Sequence, residues 1–212
     1  QWWISPCAGC PADVIRFGLG TDDPVPGVDF DGDGADDIAV TRNGVSNKEW
    51  HWLESGTGNY RVSLFGLSSD KVLVGDFDAD GKSDLTVFRP AEGNWYLNRS
   101  TTGFTTVKFG AVGDALVPGD YDGDGKTDFS IFRPSTGEWY VLQSSDNAWM
   151  PVMAWGAATD KRVAADFDAD GKTDRAVWRP RPVPLPINLT ARAEIYRRPQ
   201  TTTATDERIS PC

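Results

Sequence analysis

The sequence predicts an all-β fold assembled from four copies of one unit, and three observations lead there. A ten-residue Asp/Gly stretch occurs four times, its first Asp falling at 29, 76, 120 and 166, so successive copies lie 47, 44 and 46 residues apart. Short β-branched and aromatic runs flank each copy, alternate with polar residues and stop at Gly or Pro. No segment carries a helical period. A period of this size built from four short strands describes a blade. The reading is therefore a four-bladed β-propeller of four-stranded blades over residues 1–180, with residues 181–212 as a separate arm.

The repeated stretch is cleanest as Gly119-Asp120-Tyr121-Asp122-Gly123-Asp124-Gly125-Lys126-Thr127-Asp128. Counting from its first Asp, carboxylates at positions 1, 3, 5 and 9 can face one hard cation, the glycine at position 6 allows a sharp turn, and the carbonyl at position 7 can add an oxygen. The expected ligand sets are Asp29, Asp31, Asp33, Asp37 with the carbonyl of Ala35; Asp76, Asp78, Asp80, Asp84 with that of Lys82; Asp120, Asp122, Asp124, Asp128 with that of Lys126; and Asp166, Asp168, Asp170, Asp174 with that of Lys172. An EF-hand would place a bidentate Glu at position 12 between two helices. Here position 12 is Val40, Val87, Ile131 or Val177, inside β-branched runs, so each loop is EF-like but feeds a strand. A polar turn without metal is the bland alternative. Four copies holding four Asp in one register weigh against it, because converging carboxylates repel and raise each other's pKa when no cation is present. Four Ca²⁺ sites are expected.

Within each period the elements follow in order. An apolar run enters the loop, as at 72–77 and 162–167. A strand leaves it and ends in Arg, usually Arg-Pro, at 38–42, 85–90, 129–134 and 176–180. An aromatic strand comes next, with Trp50-His51-Trp52, Trp95-Tyr96 and Trp139-Tyr140. The last run ends in aromatic-Gly with Asp four residues after the Gly: Phe65-Gly66 to Asp70, Phe109-Gly110 to Asp114, Trp155-Gly156 to Asp160. Trp52, Trp95, Trp139 and Trp155 are read as equivalent core positions.

The chain enters this pattern in mid-blade. Residues 1–5, Gln-Trp-Trp-Ile-Ser, match the aromatic strand, and residues 14–18 with Asp22 match the aromatic-Gly run, whereas the fourth repeat stops after its Arg-Pro strand. The N-terminal strands are thus expected to complete the last blade, which would remove exposed strand edges. Completion of a neighbouring molecule's blade is the alternative. A start at Gln1 rather than Met leads to the expectation of a processed N-terminus or a partial sequence.

These motifs, Phe-Gly, Asp-x-Asp-x-Asp-Gly-x-x-x-Asp and Phe-Arg-Pro, resemble the FG-GAP/VCBS repeat family of extracellular β-propellers over residues 1–180. The resemblance implies secretion, calcium and blades, with ligands at the four Asp sets. Departures are Thr41-Arg42-Asn43 in place of Phe-Arg-Pro, and Val28 or Ala165 in place of the Gly before the first Asp. Such propellers serve as adhesins, lectins and accessory modules, so the family leaves function open.

The formal net charge of −10 is mostly local, since sixteen of the 31 acidic residues are the expected ligands of the four loops. Four divalent ions would leave about −2. No basic cluster with stacking aromatics appears, so nucleic-acid binding is not expected, nor does any stretch resemble a membrane span or a signal peptide. The three cysteines, Cys7, Cys10 and Cys212, lie outside the repeats. Neither a second Cys pair nor a nearby His completes a zinc site, and a structural disulfide in an oxidising compartment is preferred, with one thiol left over or bonded between chains.

Residues 179–186 alternate Arg or apolar residues with Pro and read as a polyproline spacer. Ile187, Leu189, Ala191, Ala193 and Ile195 then alternate on one face of a lone strand, which must pair with an existing sheet edge. Asn98 and Asn188 head glycosylation triplets. Catalysis is not expected: the sole histidine, His51, sits between two tryptophans, only six Glu are present, and ligated Ca²⁺ would stabilise rather than activate water. The expected function is a secreted structural protein, bacterial and outside the cell, a homopolymer joined head-to-tail through residues 181–212 into a filament or surface assembly. The alternative is a glycan-binding lectin or adhesin module using exposed tryptophans such as Trp2 or Trp149.

Overall fold

The computed structural model describes residues 1–4 and 13–180. Cys7, Cys10, Cys212, the strand at 187–195 and Asn188 lie outside the described residues. Among those described there is no helix, and hence none long and apolar enough to cross a membrane.

Sixteen strands follow in chain order. They are β1 (Trp2–Ile4), β2 (Asp13–Ile15), β3 (Asp23–Val25), β4 (Ile38–Asn43), β5 (Asn47–Leu53), β6 (Tyr60–Leu67), β7 (Lys71–Leu73), β8 (Leu85–Arg89), β9 (Asn94–Arg99), β10 (Gly103–Lys108), β11 (Ala115–Leu116), β12 (Phe129–Arg133), β13 (Glu138–Leu142), β14 (Met153–Ala154), β15 (Lys161–Arg162) and β16 (Val177–Trp178). Three antiparallel four-stranded sheets result, β3-β4-β5-β6, β7-β8-β9-β10 and β11-β12-β13-β14, each wound in sequence order with its Asp loop between the first two strands.

The recurring tryptophan sits at one register position in all three sheets. Thr41 faces Trp50, Phe88 faces Trp95 and Phe132 faces Trp139, and these indoles are 1%, 0% and 0% exposed. Each indole N–H donates to the carbonyl of the aromatic residue before the recurring Gly: Trp50 to Phe65 at 2.9 Å, Trp95 to Phe109 at 2.8 Å, Trp139 to Trp155 at 2.8 Å. A buried indole needs such a partner. The core equivalents are therefore Trp50, Trp95 and Trp139, which corrects two sequence assignments. Trp52 is half-buried beside Phe30, 4.9 Å between ring centroids, and Trp155 occupies the aromatic-Gly position, where it is 55% exposed.

The recurring glycine has its own steric reason. Gly66 has φ +90°, and a Cβ there would stand 2.9 Å from Cγ1 of Val87 on the next sheet. Gly18, Gly110 and Gly156 approach Val40, Ile131 and Val177 in the same way. Gly66→Ala is expected to cost about 2–4 kcal/mol, from left-handed backbone and overpacking together. Urea unfolding checks it: the midpoint should fall while the slope stays constant.

The Asp four residues beyond each Gly pairs with the Arg ending the strand that leaves the following loop. Asp22 holds Arg42, Asp70 holds Arg89, Asp114 holds Arg133 and Asp160 holds Arg179, each through two hydrogen bonds of 2.7–3.0 Å. The same carboxylates accept backbone N–H groups of Leu19, Leu67, Ala111 and Ala157. The aromatic-Gly run of one repeat is thus tied to the next repeat by sterics and by charge.

The expected joining of the N-terminal strands to the last repeat is not observed. β1 pairs with β2 and β15 with β16, as two separate two-stranded sheets, and among the described residues no ladder links them.

Candidate metal centres

In the three four-stranded sheets each Asp loop leaves the first, edge strand, turns, and enters the most buried strand. In the second loop Asp76 at position 1 nucleates the turn. Its Oδ1 accepts N–H groups of Ala79 at 2.6 Å and Asp78 at 3.2 Å, and its Oδ2 accepts that of Gly81 at 2.8 Å. Asp29, Asp120 and Asp166 each accept the position-6 N–H likewise, from Gly34, Gly125 and Gly171. Asp84 at position 9 clamps the ends, with Oδ2 on the N–H of Phe77 and Oδ1 on that of Ser100, both at 2.8 Å. Asp37 and Asp128 repeat this with Phe30 and Ser55, and with Tyr121 and Ser144.

Those serines were not singled out by motif. They stand five residues after the core Trp, at Ser55, Ser100 and Ser144, and this recurrence was the available signal. Their turns cover the loops: hydroxyls of Ser100 and Thr101 bond Asp80, and Thr102 donates its N–H and hydroxyl to Asp78 at 2.9 Å each. In the third loop Gln143 donates to Asp122 at 2.6 Å.

Four groups of carboxylates converge, with one oxygen from each member within 4.8 Å of the others: Asp29, Asp31 and Asp33; Asp76, Asp78 and Asp84; Asp120, Asp122 and Asp128; Asp166, Asp168 and Asp174. Two oxygens sharing one Ca²⁺ stand at most about 5 Å apart. Each group can hold a metal ion and is compatible with calcium. Of the expected ligands, Asp37 in the first loop and Asp80, Asp124 and Asp170 in the others fall outside these closest groups. Asp80 turns toward Ser100 and Thr101, and Asp124 accepts the N–H of Lys126 at 2.8 Å. The carbonyl of Ala35 accepts the Ser55 hydroxyl at 3.3 Å. No described contact engages the carbonyls of Lys82, Lys126 and Lys172.

The donor set fits a cation on a further count. Oδ1 of Asp78 is buried with no hydrogen-bond partner among the described residues, as expected of an oxygen that belongs to a metal. Burial, with the charges of Asp78 and Asp76 beside it, pushes the Asp84 carboxyl up to about 6 against the opposing N–H bonds. Asp128 is pushed to about 6 by the same causes, its neighbours being Asp122 and Asp120. Carboxyls that resist ionisation alone gain most from a divalent cation.

The loops are coupled in series. The N–H at position 8 of each loop donates to the carbonyl of the first Asp in the preceding loop: Ser83 to Asp29 at 2.6 Å, Thr127 to Asp76 at 2.6 Å, Thr173 to Asp120 at 2.5 Å. The contact also explains the variable residue before the first Asp. A Cβ on Gly75 or Gly119 would meet Oγ1 of Thr127 or Thr173 at 2.5 or 2.7 Å. Val28 is accommodated where the following position 8 is the smaller Ser83, whose hydroxyl accepts the Asp29 N–H at 3.0 Å.

The family model described as the FG-GAP-like repeat matches residues 29–87 and 76–131, spans that each start at a first Asp and end at position 12 of the next loop. The chain belongs to the FG-GAP-like repeat family. No curated protein matches it. The matched FG-GAP spans hold the first three loops, and the fourth repeats their internal turn, with Asp174 on the N–H of Phe167 at 2.9 Å and Asp166 on that of Gly171 at 3.0 Å.

Proposed function

We propose that this FG-GAP repeat protein is a secreted, calcium-stabilised structural protein of a bacterial surface or matrix. Its four loops bind four Ca²⁺, its repeats are the blades of a four-bladed β-propeller, β1 and β2 complete the blade begun by β15 and β16, and residues 181–212 join copies head to tail. The reading is non-catalytic: Nδ1 of His51 is 2.7 Å from the Tyr60 hydroxyl and Nε2 is 3.1 Å from Glu49, so both ring nitrogens are engaged.

One observation carries the blade completion, namely the unsatisfied aromatic face around β15 and β16. Trp155, Phe167 and Trp178 are 55%, 62% and 50% exposed, whereas Phe109, Tyr121 and Phe132, their equivalents one period earlier, are 4%, 4% and 0% exposed. An aromatic face beside unpaired strand edges favours a partner. β1–β2 is the complementary half, because repeat register aligns Trp2 with Trp95 and Trp3 with Tyr96, and β16 aligns with β8.

Two experiments test this. With Cys7, Cys10 and Cys212 changed to Ser, a Trp3→Cys/Val177→Cys pair occupies the positions of Tyr96 and Val87, which face each other in the second sheet. Oxidation is expected to give an internal disulfide. A ladder of linked copies would move the completed blade to a neighbour, and no disulfide at all would remove the closure. Separately, negative-stain images of the full chain in calcium should show filaments that are lost on truncation after Pro180; monodisperse particles from both would sink the polymer.

A lectin reading is favoured by Trp149 alone. It is 62% exposed, lies 5.4 Å from the Phe109 ring, and with Lys108, Arg133 and Tyr140 lines a groove of about 220 Å³. Glycan-array binding by the intact chain that is lost in Trp149→Ala would favour this second function.

A further inference from the structure

The first repeat departs from the second and third at three positions that meet in space. Thr41 stands where they have Phe88 and Phe132, Asn43 where they have Pro90 and Pro134, and Lys48, which faces Asn43 across β4 and β5, where they have Gly93 and Gly137. Phe88 and Phe132 are fully buried, and the Arg162 guanidinium covers the Phe132 ring at 5.3 Å. With Thr41 in place of the ring, the corresponding space between β3 and β7 opens into a cleft of about 480 Å³.

We propose that this cleft binds a small aliphatic carboxylate, with Lys48 as the charge partner. Its volume and its largely apolar wall, with Val25, Val72, Leu73 and Val74, match a small-molecule site. Lys48 lines it at 5% exposure, and its Nζ donates to the neutral Oδ1 of Asn43 at 2.7 Å. Among the described residues it forms no ion pair, which leaves a buried ammonium with donors to spare. The carboxylate of Asp70 in the same wall does not answer it, being held by Arg89 and the Leu67 N–H. Lys71 adds a second positive charge at the exposed rim, and Asp23 there adds a negative one.

The ligand class follows from what the cleft offers. One buried ammonium suits a single carboxylate; a phosphate would want an Arg fork or several donors. Walls of Val, Leu and Pro provide no aromatic face for a sugar ring, but they cover an alkyl chain.

The probe is sodium hexanoate, titrated calorimetrically into the full chain in calcium, with hexan-1-ol and hexylammonium as controls. Saturable hexanoate binding is expected, with the alcohol weaker by about tenfold or more for want of the charged hydrogen bond. Lys48→Met should weaken hexanoate by a similar factor. Thr41→Phe, which restores the residue the other repeats use, should abolish binding without lowering the melting temperature. Absence of saturable binding, equal binding of hexylammonium, or unchanged affinity in both variants would overturn the assignment.

Discussion

Chelation at pH 7.5 is expected to lower the melting temperature by about 20–40 °C. A ligand bound only by the folded state and present at about a hundred times its dissociation constant contributes about 2.7 kcal/mol per site, so four loops together contribute roughly 11 kcal/mol. For a domain of this size each kcal/mol moves the transition by about 2–4 °C. The hydrogen bonds from Ser83, Thr127 and Thr173 to the preceding loops make separate unfolding of single repeats unfavourable, so one cooperative shift is expected rather than four. The pH dependence should reverse sign with calcium. In the metal-free protein Asp84 and Asp128 titrate at about 6, against an ordinary 3.8. Between about pH 4 and 6 the folded state then binds more protons than the unfolded chain, and stability in EDTA falls as pH rises through that window. Calcium displaces those protons, so in calcium stability rises through the same window. Scanning calorimetry from pH 4 to 7.5 should show two curves that diverge with pH. Coincident curves at pH 7.5 would remove the metal assignment.

Arg89→Met should be the most damaging single change among the inter-repeat ties. The Asp70 side chain is fully buried and receives Nε and Nη2 of Arg89 at 3.0 and 2.9 Å, while the guanidinium lies 4.2 Å over the Tyr96 ring. Without the arginine a buried carboxylate keeps only the Leu67 N–H. Breaking such a pair from one side costs about 3–5 kcal/mol, or roughly 6–20 °C. Adding Asp70→Asn should recover part of the loss, because it removes the charge left unpaired. If the double variant melts below Arg89→Met, the cost lies in lost packing on Tyr96 and the electrostatic account fails. Chemical denaturation of the two variants beside the parent measures both steps.

Much of the candidate metal site was legible because it is local. Within ten residues the spacing of Asp76, Asp78 and Asp84 and the turn at Gly81 are decided by backbone geometry, and four copies multiply the signal. The Phe-Gly and Arg-Pro motifs were equally visible, yet their meaning was not. Arg89 and Asp70 are 19 residues apart, and nothing in either run says that they meet. Trp50 and Trp52, two residues apart on β5, share one face, so alternation cannot choose between them, and the choice is made by which indole reaches the Phe65 carbonyl. Ser100 was silent because it acts through its backbone N–H as much as its hydroxyl.

The sequence by itself determined the repeat, the all-β class, the register of the four Asp loops and the family, since each rests on patterns that recur within one period. Only the tertiary structure decided which oxygens converge, how one loop's carbonyl receives the next loop's amide, and that Thr41 opens a cleft beside the buried Lys48. These features depend on contacts between repeats, where side-chain volume and hydrogen-bond direction govern and sequence spacing carries no information.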